Sequence, residues 1–136
     1  MGLKEKRFTK AFQEEKFPAL KEQINHAAGF DVTIDVVWDT MFEDKFLHLY
    51  DDSYPKIYFQ PLIDAFSAIT TDDMGKEALS ESLKKVVITN KDNHYNPMHA
   101  YTFEEGVLQV NHSPILNADK VQDRTDVLIN LLENNL

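Results

Sequence analysis

The residues whose types and spacing could do chemistry fall in three short stretches. His94, His99 and His112, with Asp92 nearby, are the one histidine cluster, and the interval from His94 to His99 could offer two metal ligands. The helical metalloprotease pattern requires a Glu beside the first His and the second His one turn later. Here Tyr95 and Asn96 follow His94 in a turn-forming context. Exposed loop histidines explain the same residues, so neither a metal nor a cofactor is expected.

Asp35 and Asp39, with Asp31 before them, flank Trp38. Paired carboxylates beside an aromatic ring could do acid–base work or bind a sugar or a cation. They are equally what a half-exposed strand requires on its wet side. The third stretch sets Tyr50, Tyr54, Tyr58 and Phe59 around the acidic pair Asp51-Asp52. Rings next to carboxylates suit a basic, flexible partner segment, while core packing would claim the same rings. The binding residues expected are therefore Asp35, Asp39, Tyr50, Asp51, Asp52 and Tyr54.

Other reactive patterns are missing from the sequence. Gly75-Lys76 lacks the glycine-rich turn and hydroxyl residue of a P-loop, and no Gly-x-Ser-x-Gly elbow occurs. With no Cys, a thiol nucleophile, a disulfide framework and a Cys-ligated metal are excluded.

The elements that would position these residues are marked along the chain. Phe8, Ala11, Phe12, Leu20, Ile24, Ala27 and Ala28 recur at helical spacing, so residues 1–28 form an amphipathic helical arm. Pro18 kinks it or opens a second helix, and Gly29 stops it. Phe30, Val32, Ile34, Val36 and Trp38 then alternate with Asp31, Thr33, Asp35, Val37 and Asp39, the clearest strand in the chain. One apolar and one acidic face point to an antiparallel sheet. Phe46 to Tyr50 is expected as a short second strand, which closes a strand region over 30–50.

Two central helices follow over residues 55–84. Pro61 marks the first turn or a kink of one, and Asp72 or Asp73 caps the other, where Glu81 can pair with Lys85. Residues 85–112 read as an antiparallel meander, with Val86 to Ile88 as its first strand. Tyr101 to Phe103 and Val107 to Val110 flank a three-residue bulged turn, Glu104-Glu105-Gly106. Asn117 or Asp119 caps an amphipathic helix over 117–136, with Val121, Thr125, Leu128 and Leu132 on one stripe.

The fold class expected is a single α+β domain. An antiparallel sheet of about four or five strands carries helices on one face, with the N-terminal arm and the C-terminal helix at its ends. Its 136 residues are enough to bury a core without staples. No apolar run reaches the length of a membrane span, and no signal peptide stands at the N-terminus, so a cytoplasmic protein is expected.

Net charge is −9, of which residues 31–73 alone carry a balance of −8, whereas residues 1–22 carry +2. Such a field repels phosphate backbones and attracts cationic surfaces. The partner expected is a basic protein rather than nucleic acid or membrane, and a homodimer is left open. The function expected is non-enzymatic: a binding or accessory module with an acidic, aromatic-bearing surface. The alternative is an enzyme of unidentified class using Asp35, Asp39 and a histidine.

Overall fold

A computed structural model of the chain describes residues 2–42 and 46–136. Glu43, Asp44 and Lys45 of the acidic stretch lie outside the described residues. The chain opens with helices α1 (Leu3–Glu15) and α2 (Phe17–Ala28). Pro18 sits in the first turn of α2, where its missing N–H has no partner to lose. Gly29 ends that helix with φ at 85°. Phe12, Ile24, Ala27 and Ala28 are buried, so the amphipathic arm packs its apolar stripe into the core.

Strand β1 (Ile34–Val36) follows, and the expected second strand at Phe46 to Tyr50 is instead helical. A 3-10 turn, Leu47–Leu49, runs into α3 (Tyr50–Tyr54). Asp51 and Asp52 lie in the first turn of α3, where carboxylates are stabilised by the helix dipole. They begin a helix instead of ending a strand.

A π-helical turn, Pro55–Phe59, joins α3 to α4 (Gln60–Ile69). Pro61 accounts for the irregularity, since it has no N–H and its ring crowds the preceding turn. The Gln60 N–H reaches back to the Pro55 carbonyl, and the Lys56 carbonyl instead accepts from Arg124 Nη2 at 3.1 Å. In α5 (Asp73–Ser82) Asp72 is the cap, accepting from the Gly75 N–H at 2.7 Å. That helix stops at Ser82, so the expected Glu81–Lys85 spacing is not helical. Lys85 pairs with Asp35 across the sheet.

Strands β2 (Lys85–Thr89), β3 (Tyr101–Glu104) and β4 (Val107–Asn111) complete a four-stranded sheet in the order β1-β2-β4-β3. The sheet is mixed, which corrects the antiparallel expectation. β1 runs parallel to β2, β2 parallel to β4, and only β3 and β4 are antiparallel. Alternation reveals which side of a strand is wet and says nothing about direction. The helical crossover between β1 and β2 is the connection that parallel strands need.

The meander of residues 85–112 fails for a related reason. The segment from Asn90 to the short helix α6 (Pro97–Ala100) sets β3 one position away from β2. β4 then enters the slot between them. Glu105 and Gly106 both have positive φ, 53° and 82°, so the hairpin has a two-residue loop of the primed type, without the bulge.

The closing helix α7 (Val121–Glu133) buries Thr125, Leu128 and Leu132, as its stripe requires, together with Arg124. Neither Asn117 nor Asp119 caps it. Asn117 takes a left-handed conformation and its carbonyl receives the Lys120 N–H, while Asp119 pairs with Lys56 at 2.8 Å. All the larger helices lie on one face of the sheet. Against that face Val86, Ile88, Leu108 and Val110 pack with Ile57, Phe59, Leu62, Phe66 and Leu128. No helix among the described residues is long and apolar enough to cross a membrane.

Candidate functional site

Strand periodicity builds the site directly. In β2, Val86 and Ile88 turn to the core, so Lys85, Val87 and Thr89 turn the other way; in β4, Val107, Gln109 and Asn111 do the same opposite Leu108 and Val110. Thr102 and Glu104 continue this face on β3. Pairing aligns the side chains into rows. One row reads Asp35, Val87, Gln109, Thr102, and the next reads Lys85, Val107, Glu104. α6 contributes His99 and Ala100 to the rim, no other helix lines it, and the face forms an open recess of about 750 Å³.

The two ends of the recess differ in charge. At one end stand Lys91 and His94, carried by the loop after β2, and His99, carried by α6. Asn90, Asn93 and Asn111 fold that loop: the Asn93 N–H bonds Asn90 Oδ1 at 2.9 Å, and the Lys91 N–H bonds Asn111 Oδ1 at 2.8 Å. Asp92 accepts from Asn111 Nδ2 at 2.7 Å and lies 3.7 Å from His94 Nε2. The two imidazole rings meet edge to face, 6.0 Å between centroids. At the opposite end Glu104 and Glu105 sit at the hairpin turn. Lys85 lies near them, but its ammonium is paired with Asp35 at 3.4 Å.

The expected histidine cluster is therefore divided. His94 and His99 share the recess, while His112 is fully buried at the end of β4. Its Nδ1 donates to the Ser113 carbonyl at 2.6 Å, since a carbonyl can only accept. Burial pushes its pKa down to about 4, with the Arg124 and His94 charges acting in the same direction and the Ser113 hydrogen bond opposing. Tyr58 Oη donates to the His112 carbonyl at 2.7 Å and ties this end of the strand to the helical layer. Among the described residues, no group of three or more His, Asp or Glu side chains could hold a metal ion.

No protein-family model, curated protein or solved structure matches the chain.

The six residues expected to bind are not gathered in one place. Tyr50 and Tyr54 are each 0% exposed, stacked on one another at 4.8 Å, so they cannot face a partner. Tyr54 Oη donates to the Met41 carbonyl at 2.7 Å, and burial drives its pKa far up. These rings join Phe8, Phe12 and Phe42 in an aromatic core cluster. Asp51 and Asp52 remain exposed, bound to Lys16 at 3.5 Å and Lys56 at 3.1 Å. Asp35 stands beside the recess and Asp39 is exposed on the 3-10 turn Trp38–Thr40.

Sequence reasoning missed Thr102, Gln109 and Asn111. The alternation that exposes them was present in β3 and β4. What was not visible is that parallel strands would be left without a second layer.

Proposed function

We propose that the protein is a non-enzymatic binding module that seats a polypeptide partner on the bare face of its sheet. The single observation behind this reading is three mutually parallel strands, β1, β2 and β4, with one face uncovered. Parallel strands almost always lie between two layers, because their crossovers cover both sides. Here one layer is missing. The floor left open mixes Val87 and Val107 with Thr102, Gln109 and Asn111. Apolar contacts flanked by side-chain donors and acceptors suit a reversible polypeptide interface.

Charge favours a basic segment as the occupant. Glu104 and Glu105 stand at one end of the face, within a chain of net charge −9, so a cationic segment is steered toward that end. The acidic, aromatic-bearing surface expected from the sequence is thereby moved: its carboxylates stay outside, and its rings belong to the core.

The test is parallel capture from the native cell with three baits: wild type, Thr102→Arg/Gln109→Arg on the sheet face, and Asp51→Lys/Asp52→Lys on α3. The expected result is polypeptides retained by wild type and the α3 variant, released as salt rises, and absent from the sheet-face variant. Retention by the sheet-face variant with loss from the α3 variant would overturn the reading.

A further inference from the structure

We infer that one occupant of the bare sheet face is helix α1 of a second copy of this chain; this rests on the reading of that face as a polypeptide seat. The argument is charge complementarity along an axis. The recess is acidic at the hairpin end, through Glu104 and Glu105, and carries Lys91 beside His94 and His99 at the loop end. α1 carries the reverse pattern. Lys4, Lys6, Arg7 and Lys10 fill its first part against Glu5, and Glu14 and Glu15 close it.

These charges are on a free surface. Phe8, Thr9 and Phe12 turn one side of α1 toward its own core, while Leu3, Arg7, Lys10 and Glu14 recur at helical spacing on the opposite, exposed side. Leu3 is 61% exposed at the start of that stripe. The lengths agree as well. A helix of 13 residues is about 20 Å long, and the five residues of β4 span about 17 Å before the turn and loop are added. The helix dipole adds to the match, because the positive N-terminus of α1 would face Glu104 and Glu105.

The polarity fixes one orientation: the α1 N-terminus lies over the hairpin turn and its C-terminus lies toward His94 and His99. Arg7 and Lys10 of one copy then approach Glu104 and Glu105 of the other. Reversing the helix sets like charges together at both ends.

A charge exchange tests this with sedimentation velocity at low salt across a concentration series. Wild type is expected to self-associate, and to lose that association as salt rises. Glu104→Lys/Glu105→Lys and Arg7→Glu/Lys10→Glu should each self-associate roughly tenfold more weakly or worse. An equimolar mixture of the two variants should regain association, because the basic face of one now meets the acidic α1 of the other. Circular dichroism confirms that each variant is folded, and Lys91→Glu, at the opposite end of the recess, provides a second weakening variant if the hairpin variant is not. A monomeric wild type at every concentration, or association that the substitutions leave unchanged, would overturn the inference, as would folded variants that stay apart when mixed. Such a failure leaves the capture experiment intact: polypeptides lost from the sheet-face variant would still support the seat, with another occupant.

Discussion

The two faces of the same sheet differ by a shift of one residue, and they divide stability from recognition. Val86, Ile88, Leu108 and Val110 are each at most 1% exposed and hold the helical layer in place. Lys85, Val87, Val107 and Gln109, their immediate neighbours in sequence, line an open recess. The inner face is densely packed, so every change of volume there is felt. Over Val87, Val107 and Gln109 no second layer is packed, so these side chains are free to be chosen for what they bind.

The largest expected effect sharpens that division. Leu108→Ala should destabilise the fold by about 2 to 5 kcal/mol, because the cavity beneath the helices cannot collapse fully. Gln109→Ala, one residue away, should stay within about 0.5 kcal/mol of wild type. Denaturant melts of the two variants check the difference. Comparable losses would mean that the outer face is covered in the free protein.

Acid should act on the inner face through His112. His112 titrates near its usual value of 6.5 in the unfolded chain and at about 4 when buried, so its folded form is neutral. Above pH 6.5 both states are neutral and the site is at full stability. As pH falls from about 6.5 toward 4 the unfolded chain gains the proton first, and stability drops by about 3 kcal/mol across that window. His112→Asn keeps a donor for the Ser113 carbonyl and removes the titration. Melts between pH 4 and 7 should show a flatter profile for the variant than for wild type; parallel profiles would contradict the assignment.

Much of this division was legible in the sequence, and its limits have physical causes. The alternation of residues 30–38 placed Asp31, Asp35 and Asp39 in solvent correctly. It overstated the strand, which runs only from Ile34 to Val36 with Trp38 in a 3-10 turn, and the depth of Phe30, Ile34, Val36 and Trp38, which are half-buried; Ile34 and Val36 lie on an edge strand, and Val32 alone is fully buried. Gly106 announced the hairpin. Strand direction was not legible, since the pleat looks the same both ways. Nor was the burial of Arg124, whose guanidinium is held by the carbonyls of Asn117, Ala118 and Lys56. The Lys56 carbonyl is available because the Gln60 N–H, its helical partner, reaches back to Pro55 instead. Tyr50 and Tyr54 were misplaced because Asp51 and Asp52 between them resemble a surface turn, whereas a helix puts the two pairs on different sides.

The smallest expected effect lies at the junction of the two faces. A Cβ at Gly106 would meet the Ser82 carbonyl oxygen at 2.7 Å, so every substitution there is strained. Gly106→Val should cost more than Gly106→Asn, by about 1 kcal/mol, since Asn tolerates positive φ and a β-branched side chain does not. Thermal melts of the two variants check the order. Equal losses would mean that the contact with Ser82, rather than the turn conformation, sets the cost.

The central claim is that the uncovered face is where partners bind, and amide shift mapping tests it most directly. Isotope-labelled protein is titrated with a polypeptide retained in the capture experiment, and the backbone signals are followed. The account predicts changes centred on Thr102, Val107, Gln109 and Asn111, diminishing as salt rises. Changes confined to Asp51 and Asp52 on α3, with the sheet signals unmoved, would contradict it.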